Sequence, residues 1–598
     1  MHADRERSRD RGERDRAPAT AFSRERSLDR LASERFDVLV IGGGITGAGV
    51  ALDAASRGLR TALLEASDFA SGTSSRSSKL VHGGLRYLQQ HEVRLVYESL
   101  TERQRLLENA PHLVHRLPFF IPLFGRSRAL GETVASSYST ALWMYDVTGG
   151  MRIGMRHRRV SAETALEHLP TLRTERLNAG FIYYDAQVDD ARLTLAVLRT
   201  AALDYGAVVA NYAPVISLIT GRDGQVAGVV ARPLASAGEP GSDADGSRSG
   251  AEMEIRATVV VNATGVWSDQ VAGMTAGGGD GRGNIRPAKG IHLTVSRDVL
   301  PCDIASVVPV PGDRRSIFVV PWGKHVYLGT TDTDYSGPLE DPPVCPEDVA
   351  YIIEAANATF SKPLSTADVR SAWAGLRPLL SPSSQGGAGS SRTADLSRRH
   401  TVMVSSTGLV TVTGGKLTTY RRMASDTLDA VSRHLGVSMP RCRTKGLPLR
   451  GAAGSRELVS RWSVAVAANR LGMDPQVFAH LASRYGAELE QVWDLARSGK
   501  NDAGGSLLDG LEYVEAEALY AVRNEMAQTV DDVLSRRTRA TFWDSAAAHA
   551  GAEHVAGIIG RDLGWSKAEA SAHASAFRSG LEKRMRMAGL DLSPKPAR

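Results

Sequence analysis

The run Phe36–Ile41 (FDVLVI) is apolar and β-branched, and its length and composition predict a buried strand. Glycines follow at once. Thr46–Ser56 then reads as a helix that stops at Gly58, a residue suited to a left-handed cap. Thr61–Leu64 is a second short apolar run ending in Glu65, which completes a βαβ unit. Further on, Glu92–Asn109 has the period of an amphipathic helix, with Val93, Val96, Tyr97, Leu100 and Leu107 on its apolar face and Pro111 ending it. Residues 180–262 are rich in strand-like runs and close on EIRATVVVNATG, another buried strand. Leu409–Thr413 predicts one more strand, running into Gly414, Gly415 and a helix.

The ends of the chain have a different character. Residues 1–33 alternate Arg with Asp and Glu and hold few large apolar side chains. Such a segment buries too little surface to offset its ordering entropy, so disorder is expected. Residues 34–440 form the main body. From Arg441 to Arg598 the sequence turns Ala-rich and helical in period, which predicts a separate helical domain. Gly- and Ser-rich stretches at 236–250, 276–283 and 381–392 read as surface loops.

With 598 residues, 42% of them hydrophobic, the chain is long enough for several domains and a large core. A net charge of +6 favours anionic partners only weakly. Three cysteines, Cys302, Cys345 and Cys442, with no C-x-x-C pair, argue against a disulfide framework and a thiolate metal site and suit a reducing cytoplasm. No apolar run reaches membrane-spanning length and the first residues lack a signal-peptide core, so any membrane contact is expected to be peripheral.

Against that background the chemistry concentrates in a few motifs. Gly42-x-Gly44-x-x-Gly47 sits between a strand and a helix, with Glu65 at the end of the next strand. Gly42 permits the tight turn, Gly44 lets a pyrophosphate approach the helix N-terminus, and Gly47 allows close helix–strand packing. Glu65 is placed to accept hydrogen bonds from ribose hydroxyls. This motif alone leaves FAD and NAD open. Thr264 and Gly265 end a strand in small residues that permit close ligand approach. Lys416 stands at the start of a helix, where it opposes the dipole, a placement better explained by an anionic ligand than by helix stability. Lys289, His292, Thr330, Thr331, Asp332 and Arg377 lie beside strands or turns. Ser77–Gln90 packs serines, Lys79, His82, a Gly-Gly pair, Arg86 and Tyr87 into one short segment.

The segments DVLVIGGGITGAG, TSSRSSKLVHGGLRYL, VDDARL, VNATGVW, KGIHL, GTTDTDY, AGLRPL, GGKLTTYR and YAVRNEMAQTVDDVLSRRTR occur in that order over about residues 36–545. In this they resemble the FAD-dependent glycerol-3-phosphate dehydrogenases. The resemblance implies an α/β fold: a glutathione-reductase-like FAD domain of Rossmann type, interleaved with a β-sheet substrate domain and followed by an all-α C-terminal domain. It implies bound FAD and oxidation of sn-glycerol 3-phosphate to dihydroxyacetone phosphate, with electrons passed to membrane quinone. It also implies a homodimer peripheral on the inner face of the cytoplasmic membrane, with no nucleic-acid partner. By resemblance, Arg86, Tyr87, Thr331 and Arg377 hold the substrate. His292 is the preferred base, with Lys416 and Arg377 beside it in the catalytic set. Thr73, Ser74, Ser78, Gly83, Gly84, Gly415, Lys416, Leu417 and Thr418 join Gly42, Gly44, Gly47, Glu65, Thr264 and Gly265 around the cofactor. An oxygen-dependent glycerol-3-phosphate oxidase and an amine or amino-acid oxidase on the same fold stay open as alternatives.

Overall fold

The computed structural model describes residues 22–85, 92–124, 128–175, 177–234, 250–275, 285–313, 315–381, 399–455, 461–498 and 504–593. Residues 1–21, Arg86, Tyr87 and nearly all of the three Gly/Ser-rich stretches lie outside these.

The βαβ unit forms with the expected bounds: strand β1 (Phe36–Ile41), helix α2 (Ile45–Ser56) and strand β2 (Thr61–Leu64). β1 and β2 pair in parallel, Val38 opposite Thr61 and Ile41 opposite Leu64. Both are buried apart from Asp37, which is why they read as apolar runs rather than alternating ones. On its other side β1 pairs in parallel with β3 (Met253–Asn262), and β3 in turn with β7 (Val410–Gly414). Register brings Ile41 beside Asn262 and Asn262 beside Thr411. The carboxyl ends of three neighbouring strands therefore reach one edge, and the glycines that follow each strand gather there. This sheet has eight strands in all.

A second sheet of ten strands carries the other half of the site. Toward one edge of it lies β4 (Ile285–Ser296), flanked by β5 (His325–Gly329) and by β6 (Val369–Leu380), both antiparallel to it.

Three local expectations are corrected. Residues 24–33 are ordered: they form helix α1 (Arg24–Ser33), with Leu31 and the preceding Phe22 buried and Phe22 against the Phe69 ring at 6.1 Å. Arg24 donates to the carbonyls of Asn211 (3.0 Å) and Leu234 (2.8 Å), so this arginine anchors the helix instead of solvating it. Within the strand-rich region, Asp190–Tyr205 is a 16-residue helix, α4, capped by the Asp189 carboxylate at its start and by Gly206 at φ +77° at its end. Helix α3 (Val93–Asn109) is present, but rotated from the predicted face: Leu95, Val96, Ser99, Leu100 and Arg103 point inward, whereas Val93 and Tyr97 are exposed.

The C-terminal region is helical, including Glu515–Glu525, Ser545–Leu563 and Lys567–Met587, with a π-helical turn at Asp532–Arg537. One small core of its own links Phe478, Leu481 and Val492 with Tyr520. Its later helices instead share a core with the second sheet: Val555, Ile559, Phe577 and Leu581 join Ile291, Leu293 and Leu328.

Candidate active site

The first half of the site is a cradle of glycines. Gly42 has φ +108°, and a Cβ there would lie 2.8 Å from the Ala263 carbonyl oxygen and 3.1 Å from Thr264 Cα. The turn after β1 thus runs hard against the end of β3. Gly44 is the N-cap of α2, and a Cβ on Gly47 would come within 1.9 Å of the Gly42 carbonyl oxygen. Glu65 accepts from the backbone N–H of Gly43 (2.6 Å) and of Ser67 (2.9 Å), so its carboxylate braces the glycine loop. Burial raises its pKa above the ordinary carboxylate range. Ser74 Oγ accepts from Ile45 N–H at 2.9 Å, tying the Thr73–Ser78 segment to the start of α2. Gly265, at φ +62°, opens onto free space within 4 Å, and Gly415, at φ +81°, lies against Met423 Sδ. Thr264 is fixed by Asn262 Oδ1, which accepts from its hydroxyl at 2.7 Å. A helix N-terminus, the half-buried carboxylate of Glu65 and strand ends stripped of side chains fit the diphosphate and ribose of a dinucleotide.

The second half lies on one face of the second sheet. His292 stands opposite Trp373, Gly290 opposite Gly375, and Ala288 opposite Arg377. Strand alternation puts His292, Trp373 and Arg377 on the same face, with the glycine pair between them. The glycines are demanded by what crosses there. A Cβ on Gly290 would meet Arg377 Nη2 at 2.5 Å and Thr330 Oγ1 at 2.4 Å, and one on Gly375 would meet the Arg76 carbonyl at 2.4 Å. Arg377 therefore leans over Gly290 toward His292. Asp332 (3.2 Å), the Thr330 hydroxyl (3.0 Å) and the Thr331 carbonyl (3.2 Å) hold its guanidinium. The Thr331 hydroxyl is engaged elsewhere, accepting from Ile291 N–H at 3.1 Å.

His292 stacks on Trp373 at 5.0 Å and 13°, and its Nε2 lies 2.9 Å from Ser78 Oγ. Its Nδ1 is buried with no hydrogen-bond partner among the described residues. Burial first, then the positive charges of Lys79 and Arg377, hold its pKa well below the ordinary 6.5, so the ring is neutral.

The segment between the halves does several jobs. The Thr73 hydroxyl donates to the Leu376 carbonyl at 2.6 Å, next to Arg377. Gly83 N–H donates to Tyr145 Oη (3.1 Å) and Asp185 Oδ1 (3.2 Å), and a Cβ there would strike Leu100 and Tyr145. Packing against these side chains already requires glycine at 83. Gly84 has φ +81°. Thr418 Oγ1 accepts from His82 N–H at 3.2 Å, and Lys416 Nζ is 3.5 Å from Ser99 Oγ on α3. Leu417 packs on the edge of the core under the first sheet. Lys416 opens a three-residue turn, Leu417–Thr419, that leads into helix Tyr420–Leu435. Lys289, also singled out in the sequence, is a structural cation paired with Asp348 at 2.6 Å.

Sequence reasoning missed the support beneath His292. Lys79 is fully buried, 4.9 Å from the Trp373 ring centre and 5.3 Å from that of Trp322. Burial lowers its pKa to about 8 against the opposing pull of Asp190. Asp190 binds Lys79 (3.4 Å), the Ser77 hydroxyl (2.7 Å) and Arg539 (3.1 Å). Arg539, from the helical region, also donates to the Ser75 carbonyl. A lysine preceded by two serines gave no signal of burial in the sequence.

Parallel strands ending in a glycine cradle, joined to a second sheet that presents a neutral histidine and a fixed arginine, suit an FAD-dependent oxidoreductase, and comparison agrees. The family model for FAD dependent oxidoreductase matches residues 37–421, and that for the C-terminal domain of alpha-glycerophosphate oxidase matches residues 442–570. A glycerol-3-phosphate dehydrogenase of Mycobacterium leprae is 39% identical over 569 residues, 94% of this chain and 92% of its own. The human mitochondrial glycerol-3-phosphate dehydrogenase is 37% identical over 91% of this chain and 73% of its own. The structure of the Bacillus halodurans glycerol-3-phosphate dehydrogenase complexed with FAD aligns with a TM-score of 0.74 at 32% identity, covering 96% of this chain and 99% of that one. The chain belongs to the FAD-dependent glycerol-3-phosphate dehydrogenase family, and FAD is its cofactor. Among the described residues, no helix is long and apolar enough to cross a membrane.

Proposed function

We propose that this protein oxidises sn-glycerol 3-phosphate to dihydroxyacetone phosphate and passes the electrons to a membrane quinone, acting as a homodimer peripheral on the cytoplasmic membrane. The observation that carries the substrate reading is the pairing of Arg377 and His292 on one face across the Gly290–Gly375 gap. FAD, when bound, supplies the hydride acceptor for the C2 hydrogen. Everything else falls to the chain. Arg377, its plane set by Asp332, Thr330 and Thr331, takes the phosphate. His292 accepts the proton of the C2 hydroxyl. Burial first, and then the charges of Lys79 and Arg377, depress its basicity. A phosphate dianion on Arg377 offsets one of them, so the imidazole becomes a better base when substrate is present. Ser78 holds Nε2 and Trp373 holds the ring plane, which fixes the direction of approach. Arg86 and Tyr87 complete the substrate contacts in this reading, with Lys416 beside the reacting centre.

The quinone part is tested separately by stopped-flow reoxidation of the enzyme after reduction with glycerol 3-phosphate. Rapid reoxidation by a short-chain quinone and slow reaction with oxygen is the expected result. Fast oxygen consumption with stoichiometric peroxide and no quinone turnover makes the protein an oxidase.

A further inference from the structure

A cavity of about 550 Å³ lies between β6, the turn at Ser75 and Arg76, the 338–344 loop and the last helix, Lys567–Met587. Among the described strands β6 pairs with β4 alone, so its other edge carries no strand. No cradle glycine lines the cavity, and neither His292 nor Arg377 does. Trp373 is the residue it shares with the His292 face.

Part of the wall is apolar. Val344, Ala374, Phe542 and Leu581 are buried around Trp373, and the rings of Phe542 and Trp373 are 5.1 Å apart. Gly580, inside the last helix, also lines the space, and a Cβ there would meet nothing within 4 Å. Packing does not demand this glycine, which costs the helix about 1 kcal/mol relative to alanine. Its missing side chain leaves the cavity open.

The charged part of the wall has more cations than acids: Arg76, Arg536, Lys583 and Arg584 against Glu340, Asp341 and Asp531. Arg536 is well matched, with Asp531 at 2.7 Å and Asp68 at 2.6 Å. Arg76 has Asp341 at 3.1 Å, a carboxylate that is half exposed. Burial first, then Arg584 and Arg536, lower the pKa of Arg76 by more than Asp341 and Asp531 restore. Arg584 comes no closer than 3.8 Å to Asp341 and 3.9 Å to Asp531, beyond hydrogen-bond distance. Lys583 is exposed beside it. Guanidinium donors in surplus next to an apolar wall, in a space of ligand size, suit a molecule with an anionic end and an apolar body.

We infer that this cavity is a regulatory site for a small amphipathic anion, its carboxylate or phosphate held by Arg584 and Arg76 and its apolar body packed on Val344, Phe542 and Leu581 beside Trp373. Two physical links lead from it to the reaction. Trp373 stacks on His292, and the Arg76 carbonyl crosses Gly375 two residues before Ser78, whose Oγ lies 2.9 Å from His292 Nε2. An occupant that shifts Trp373 or Arg76 changes how the imidazole is aimed. This kinetic consequence rests on the role given to His292 above; binding itself does not.

The test is calorimetric titration of the full-length FAD-loaded enzyme with 4-phenylbutyrate and, separately, with phenyl phosphate. At least one should bind, a single equivalent per chain, with a Kd of about 1 mM or tighter; the tighter of the two names the head group. Acetate lacks the body and 4-phenylbutanol lacks the charge, so each should bind about tenfold more weakly or worse. Gly580→Phe, which fills the space, and separately Lys583→Ala/Arg584→Ala should each weaken binding about tenfold or more, with dye-coupled activity in the absence of ligand retained. At saturation the ligand should change kcat about twofold or more and leave the KM for glycerol 3-phosphate unchanged. The inference is overturned if neither probe binds, or if both variants bind as well as the wild type. Competition with glycerol 3-phosphate would also overturn it, by placing the probe on Arg377, and binding that leaves kcat unchanged would remove the regulatory role. Failure of glycerol 3-phosphate to reduce the dye would count against the substrate reading and leave the calorimetry readable.

Discussion

In the proposed reading Arg377 binds and His292 takes the proton, so their substitutions should separate in kinetics. Arg377→Ala removes a ground-state phosphate contact, so KM should rise roughly 10- to 100-fold while kcat changes little. His292→Ala removes the proton acceptor, and kcat should fall by about 10²- to 10⁴-fold. Steady-state kinetics with a dye acceptor reads both; kinetics unchanged in the two variants would mean that the site is elsewhere. Gly290→Ala is the subtler probe. Its methyl group would collide with Arg377 Nη2 and Thr330 Oγ1, so it should raise KM as Arg377→Ala does, at unchanged FAD content. The spacing KGIHL marks this glycine in the sequence. What the glycine makes room for was not legible, because Arg377 is 87 residues away and meets it only through strand register.

At the scale of elements, local signals were read well and long-range ones were not. The βαβ unit was legible to the residue because its strands are buried on both faces and its helix ends on a glycine. Helix α4 was hidden among β-branched neighbours, although Asp189 and Gly206 mark its ends. The face of α3 was misread because Val93 and Tyr97 are apolar yet exposed. Least legible was the tether beneath Ser78, which joins Ser75, Lys79 and Asp190 to Arg539 across 464 residues of sequence. Asp190→Asn leaves two buried cations facing each other and releases the Ser77 hydroxyl. Removing one partner of a buried ion pair costs about 3–5 kcal/mol. The variant should therefore melt well below the wild type, and where it still folds kcat should fall as Ser78 loosens. A melting temperature equal to that of the wild type would show that the tether carries no energy.

For the molecule as a whole, the helical region is no appendage. It supplies part of the core under the second sheet, and Arg539 reaches the segment whose Ser78 holds His292. The whole fold also carries a pH signature. Burial keeps His292 well below 6.5 and puts His112 at about 3 and His325 at about 4. The unfolded chain protonates these rings near 6.5, so below that pH it binds protons the folded chain refuses. Stability then falls as pH falls, until the folded values are reached, and each ring costs about 2 kcal/mol by pH 5. Melting curves should show a clear loss between pH 7 and pH 5, before most carboxylates titrate; a constant melting temperature over that range would contradict the buried neutral histidines.

The central claim is that the neutral His292 and the fixed Arg377 serve a phosphorylated alcohol beside the flavin. Anaerobic addition of sn-glycerol 3-phosphate to the purified yellow enzyme, followed at the flavin absorbance, tests it most directly. The account predicts full bleaching in excess glycerol 3-phosphate, with no bleaching by glycerol or by amino acids. A flavin that stays oxidised with glycerol 3-phosphate, or bleaches with an amino acid instead, would contradict it.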